Sequence, residues 1–182
     1  MQWRFDPAHT SVEASAKHMM FTTVRVDFPG TTGEIDLDPD RPESAHVRLT
    51  IPVASLRSND PKRDTHLRSA DFFDTEHFGE IVFESRSVER AGKDRFTVKG
   101  DLTIRGTTKP VTVVASLLGI VDDPMGAAKK RAFIDAQTRI DRREWGLVWN
   151  MPVPQGVLVS HEIALEVSAQ VVSADGAQVK AA

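Results

Sequence analysis

Apolar residues recur at every second position along most of this chain. Between residues 10 and 17, Val12, Ala14 and Ala16 alternate with Ser11, Glu13, Ser15 and Lys17. The same alternation carries Val24, Val26 and Phe28, then Val47, Leu49, Ile51 and Val53 against His46, Arg48 and Thr50. Phe96, Val98, Leu102 and Ile104 repeat it against Arg95, Thr97, Lys99, Asp101 and Thr103. A period of two marks strands with one buried face. Further strands are predicted over 3–6, 35–37, 81–88, 111–121 and 133–141, and one long last strand over 157–172. On that last strand Val157, Val159, Ile163, Leu165, Val167 and Val171 share a face, which His161 interrupts. Asp6-Pro7 breaks the first strand. Pro29-Gly30 with Gly33, and residues 91–94, 106–110, 122–130 and 142–146, read as turns, bulges or loops.

One stretch departs from this rhythm. Asp60 suits a helix N-cap and Pro61 the first helical position, where its missing N–H would lack a partner anyway. A helix is predicted from Asp60 to about Phe73, with Asp64 and Arg68 spaced to pair along one face. It ends on the apolar pair Phe72-Phe73 beside a cluster of charge.

Strands joined by short turns, with a single helical interruption, point to an antiparallel sheet. Long strands with open edges invite aggregation, and closure into a barrel removes the edges. About eight strands give a barrel that is filled by side chains or holds one slender ligand. The expected fold is therefore all-β, an up-and-down barrel with a short helical insert; a two-sheet sandwich stays open on pattern alone. One domain is expected over 1–172, with a frayed C-terminal tail over 173–182.

Composition narrows the function. The net charge of −3 over 182 residues offers no polycationic surface for nucleic acid. No apolar run approaches the roughly 20 residues of a membrane-spanning helix, so an integral membrane protein is not expected. The start, Met-Gln-Trp-Arg-Phe-Asp, has no basic segment followed by an apolar one. The cytoplasm is the expected location, or the periplasm for a form trimmed of an export signal. With no cysteine, thiolate metal sites and disulfides are excluded. His9, His18, His46, His77 and His161 lack the spacing of a zinc motif, so no metal is expected. Ser69, Ser85 and Ser160 lack the glycines of a nucleophile elbow, so no catalytic residue is assigned.

Several segments together resemble the YceI-like family of lipocalin-like β-barrels associated with polyisoprenoid binding. They are Asp6-Pro7-Ala8-His9-Thr10, the run from Arg63 to Phe73, Gly100 to Val111, Asp123-Pro124 with Gly126, and Ile140 with Arg142 and Trp145-Gly146. The resemblance implies a soluble binding or carrier protein. Its lumen would hold a long apolar chain: a polyprenyl lipid, an isoprenoid quinone or a fatty-acid derivative. No other cofactor is implied. Ala14 and Ala16 stand where the family has larger apolar residues, which widens the lumen if that face points inward. Val26, Gly79 and Ala132 also depart from the family pattern.

The candidate lining residues are Val24, Phe28, Leu49, Ile51, Phe72, Phe73, Phe83, Leu102, Ile104, Trp145 and Trp149. Arg63 and His66 are candidates for orienting a headgroup at the mouth, and His18, beside Met19-Met20-Phe21, is the histidine expected to touch a ligand. Asp64 is expected to tie the helix to the barrel. The alternative is an enzyme acting on a hydrophobic substrate through His18, His66, Asp64 or Arg142. A homodimer through an exposed strand or the helical insert is a third reading.

Overall fold

The computed structural model describes residues 1–126 and 128–174. Its strands are β1 (Gln2–His18), β2 (Thr22–Asp27), β3 (Thr32–Asp36), β4 (His46–Pro52), β5 (Glu80–Arg90), β6 (Arg95–Ile104), β7 (Thr107–Asp122) and β8 (Lys130–Asp141). A small hairpin follows, β9 (Pro152–Val153) with β10 (Gly156–Val157), and then β11 (Glu162–Ser173). The helix, α1, is Pro61–Arg68.

Eight strands close a barrel in the order β1-β3-β4-β5-β6-β7-β8-β11, and β11 returns to β1 with Val12 opposite Val167. Every neighbouring pair is antiparallel. The extra strand, β2, shares one edge of β1 with β3. β2 pairs with Glu13 to His18 and β3 with Gln2 to Arg4, so the two act as halves of one kinked strand. The Phe28 N–H bonds the Val12 carbonyl at 3.0 Å where they part. This is the expected all-β barrel with a helical insert.

Several boundaries differ from the sequence reading. β1 runs unbroken past Asp6-Pro7; the register slips between Phe5 and Thr10, so a bulge accommodates the proline. The predicted turn over 106–110 is only Arg105-Gly106, at φ 49° and 71°, with both residues left-handed. Pro110 sits within β7, opposite Asp101. β8 joins β7 only from Val114 onward, so Pro110 lies on a locally free edge where no ladder N–H is required. The long last strand is also shorter than expected. Val157 belongs to the β9–β10 hairpin, and β11 starts at Glu162. At the far end β11 continues through Ser173, which is buried and accepts the Lys130 N–H on its Oγ at 3.0 Å. Residues 175–182 of the expected tail lie outside the described residues.

The barrel has two unlike ends. At one end lie α1, the β1–β2 turn, the Arg142–Trp145 turn and the β9–β10 hairpin. At the other, Trp3, Ile35, Leu37, Ala132 and Val171 form a closed cluster. Trp3 is fully buried there, and its indole N–H donates to the Leu37 carbonyl at 3.0 Å. A tryptophan is tolerated so deep because its polar handle is satisfied.

The β1–β2 turn is unusual. Met19 and Met20 stand at φ 50° and 69°, and the Phe21 N–H closes onto the His18 carbonyl at 3.1 Å. A turn with both central residues left-handed favours Asn-Gly. Each side-chain-bearing residue held there costs about 1 kcal/mol.

Candidate functional site

Local chemistry fixes the helical cap over one barrel end. Asp60 accepts the N–H groups of Lys62 and Arg63 at 3.0 and 3.4 Å, and Pro61 opens α1, as expected from the cap pattern. The expected Asp64–Arg68 pairing does not form. Asp64 instead accepts from the N–H and hydroxyl of Ser58 at 2.8 and 2.6 Å. Arg68 donates to the carbonyls of Ala54 and Leu56. Both ends of that would-be pair are spent on tying the helix to the segment after β4. Past α1, the Phe73 N–H bonds the Leu67 carbonyl and the chain folds back, so Leu67, Phe72 and Phe73 hang over the barrel. Phe28 meets Phe73 edge-on, with centroids 6.0 Å apart.

Beneath this cap lies a cavity of about 570 Å3, within the range of roughly 300–1,000 Å3 typical of ligand pockets. Alternate residues of the barrel strands line it. On one side stand Leu49 and Ile51 of β4, Ile81 and Phe83 of β5, and Leu102 and Ile104 of β6. The Phe83 ring lies over Gly100, where an added Cβ would come within 2.7 Å of it. Opposite, β7, β8, β11 and β1 contribute Ala115, Ala136, Ala169, Ala14 and Ala16 among larger residues. Ala115 and Ala136 face each other across their ladder, and Ala136 also faces Val167. Small side chains at these positions leave space at the barrel axis. The departure at Ala14 and Ala16 thus does point inward.

Thirteen of the candidate residues border this one cavity: His18, Val24, Phe28, Leu49, Ile51, Arg63, His66, Phe72, Phe73, Phe83, Leu102, Ile104 and Trp149. Trp145 does not. It is buried between the Arg142–Trp145 turn and β6, with its indole N–H on the Leu102 carbonyl at 3.0 Å. Its ring is committed to the seam. His161 does not border the cavity either. Ala115, Ala136 and Ala169 are not among the candidate residues; the only signal for each is a small residue within the alternating apolar face of its strand.

Polar groups gather at the helical end. His66 Nε2 lies 2.9 Å from Asp71 Oδ2, and its ring stands edge-on to Phe72 and Trp149, with centroids 5.1 and 4.6 Å away. The Arg63 guanidinium is 3.4 Å from Asp60 Oδ2. Arg142 is 4% exposed and borders the cavity. It donates to the carbonyls of Ser160, Leu147 and Val159, and stands over the Phe72 ring at 5.9 Å. Burial pulls its pKa below the ordinary arginine value, against the nearby Asp141 charge. Arginine nevertheless keeps its proton, so a desolvated cation held by carbonyls lies at the edge of an apolar chamber. Of the groups named for an enzyme, Asp64 is bonded to Ser58, His66 to Asp71 while standing against two aromatic rings, and Arg142 to three carbonyls.

The fold and site together define a closed antiparallel barrel with an apolar chamber whose polar groups gather at the helix-capped end. The chain belongs to the YceI-like family: the family model of the YceI-like domain matches residues 3–171. It is 36% identical over 139 residues to Protein YceI of Escherichia coli O157:H7, covering 76% of this chain and 71% of that one. Among solved structures it is similar to Burkholderia cenocepacia BcnA, with a TM-score of 0.78 at 21% identity, covering 91% of this chain and 98% of that one. A domain from Saccharophagus degradans described as polyisoprenoid binding has a TM-score of 0.70 at 10% identity, covering 94% and 98%. At these identities the structures share the fold. Among the described residues, no helix is long and apolar enough to cross a membrane.

Proposed function

We propose that this protein is a carrier that binds one long apolar chain in its barrel, as a polyisoprenoid, an isoprenoid quinone or a fatty-acid derivative. One observation carries the reading: the interior is a single apolar chamber, where Ala14, Ala16, Ala115, Ala136 and Ala169 leave space at the axis, with its charged groups at one end. Each methylene buried there contributes about 0.8 kcal/mol, so a long chain gains affinity without many polar contacts. Ordering the chain offsets part of that gain. The headgroup is placed at the α1 end, where Arg63 and Arg142 offer guanidinium N–H donors and His66 a ring nitrogen. The resemblance to a domain described as polyisoprenoid binding supports the same ligand class.

The function is sequestration, not turnover. The test is mass spectrometry of an organic extract of natively purified protein, joined to thermal melting with added polyprenol. A stoichiometric long-chain lipid, or a melting temperature that rises with polyprenol concentration, is the expected result. An empty extract together with an unmoved melting temperature across polyprenols, quinones and fatty acids overturns it. Chemical alteration of an added lipid by the protein would replace the carrier with an enzyme.

A further inference from the structure

Five of the large apolar side chains left in water stand at the cavity mouth. Met19, Met20 and Phe21 form the β1–β2 turn and are 37%, 44% and 71% exposed. Val148 and Met151 flank Trp149 and are 64% and 53% exposed. Backbone bonds bring the two segments together. The Met19 N–H donates to the Leu158 carbonyl at 2.7 Å, and the Leu158 N–H to the Met151 carbonyl at 2.9 Å. His18 pairs with Val159 beside them. His18, Trp149, Leu158 and Val159 all border the cavity, so the exposed apolar rim continues inward as the chamber wall.

Neither folding nor solubility accounts for this rim. The turn's left-handed geometry favours Asn-Gly, and water favours polar side chains. Loop tips carrying methionine and phenylalanine project outward and form no groove, which suits insertion into a soft apolar medium better than fit to a shaped protein. Charge agrees. Lys17, Lys62 and Arg63 border the cavity with one lining carboxylate, Asp60, and Asp71 beside it is paired with His66. That is a basic opening on a chain of net charge −3. Basic residues beside an apolar tip are attracted to anionic headgroups.

We propose that the mouth docks on an anionic lipid bilayer, with Met19, Met20 and Phe21 entering the headgroup layer, so that a chain passes between bilayer and lumen without crossing water. The docking face stands on the rim itself; its purpose, loading the chamber, rests on the carrier function proposed above.

The test is flotation with phosphatidylcholine vesicles, with and without phosphatidylglycerol. The wild type and the triple variant Met19→Asn/Met20→Gly/Phe21→Thr are compared. The variant has turn residues better suited to the backbone, so its melting temperature should not fall. The wild type is expected to float with phosphatidylglycerol vesicles and to lose flotation in high salt; the variant is expected to float at least tenfold less. A wild type that stays down with phosphatidylglycerol vesicles overturns the proposal, as does a variant that floats equally well. So does a wild-type dimer, seen by light scattering, that the variant abolishes without any flotation, since the rim then covers a second copy. Polyprenol binding in detergent-free solution separates the two ideas. Flotation without polyprenol binding keeps the docking face and removes the carrier; binding without flotation does the reverse.

Discussion

At the floor of the barrel, Trp3, Ile35, Leu37 and Val171 meet over Ala132 and leave no room. Further along the same strands, Ala14, Ala16, Ala115, Ala136 and Ala169 face the axis and a chamber of about 570 Å3 remains. Strand type, alternation and closure are common to both ends. What differs is the volume that facing strands deliver to the axis. Where Trp3 fills the axis in one cluster with Ala132, the layer is full; where Ala115 pairs with Ala136, it is empty. Interiors close-pack by default, so the empty layer is a property of the sequence, and substitution should be able to convert one end into the other.

The largest expected effect is at the floor. Trp3→Ala removes a fully buried indole and leaves the Leu37 carbonyl without its partner. It should cost about 3–5 kcal/mol, read as a lower urea midpoint. Trp149→Ala, at the half-buried mouth, should cost far less stability and weaken ligand binding instead. Equal losses of stability at the two tryptophans would remove the distinction between floor and mouth.

Next comes filling the open layer. Ala136→Phe places a ring against Ala115 and Val167. Stability should hold or rise, because the new ring enters space instead of displacing neighbours. Affinity for a polyprenol should fall by about a hundredfold, equivalent to about 2.7 kcal/mol, or roughly three methylenes of lost burial. A titration with unchanged affinity would mean that the chain does not lie beside Ala136.

A smaller effect concerns the cap. Asp64→Asn weakens the two hydrogen bonds to Ser58 and should cost about 1.5 kcal/mol. Amide exchange should quicken first in α1, while the floor strands keep their protection. Uniform loss of protection would show that the cap is not a separate unit.

This contrast also marks where the sequence is legible. Residues whose role is local read correctly: Asp60 and Pro61 start α1 because a cap depends on a few adjacent atoms. Alternation likewise gives the inward face of β4 and β6, and with it Leu49, Ile51, Leu102 and Ile104. Roles set by a distant partner do not read. Trp145 looks like a lining aromatic, yet the Leu102 carbonyl holds it in a seam. Asp64 and Arg68 have pairing distance along the helix, yet Ser58, Ala54 and Leu56 compete successfully for them. Pro110 reads as a turn until the register shows that its edge of β7 is free. The set of lining alanines is not legible either, because each sits singly in the apolar face of its strand; only closure of the barrel brings Ala115 beside Ala136 and turns the others to the same cavity.

The smallest expected effect tests whether charge holds the floor end more than the mouth end. At the floor, Asp123 receives Arg131 Nε at 2.7 Å and the N–H groups of Met125 and Ala128 at 3.0 and 2.8 Å. Arg131 also reaches Asp6, 3.4 Å away in the β1 bulge, and Asp6 accepts from Gln170 of β11 at 2.7 Å. Hydrogen bonds from Arg131 hold Asp123 well below the usual carboxylate range. Burial pushes Asp6 upward, but bonds from His9, Ala8 and Gln170 outweigh it and leave its pKa lowered. At the mouth, hydrogen bonding from Arg143 brings Asp141 down to about 2, but its side chain is 32% exposed. A carboxylate with a depressed folded pKa stabilises the fold fully above its unfolded value, about 3.9. That contribution is lost as pH falls through the folded value. Loss should therefore begin below about pH 4, ending near 2 for Asp141 and lower for Asp123. In urea midpoints followed across this window, Asp123→Asn should lower the neutral plateau and flatten the acid slope. Asp141→Asn should barely alter either, since solvent screens an exposed pair. Matching slopes for the two variants would show that the Asp6–Arg131–Asp123 clasp is ordinary surface charge, leaving Trp3 and its apolar neighbours to close the floor alone.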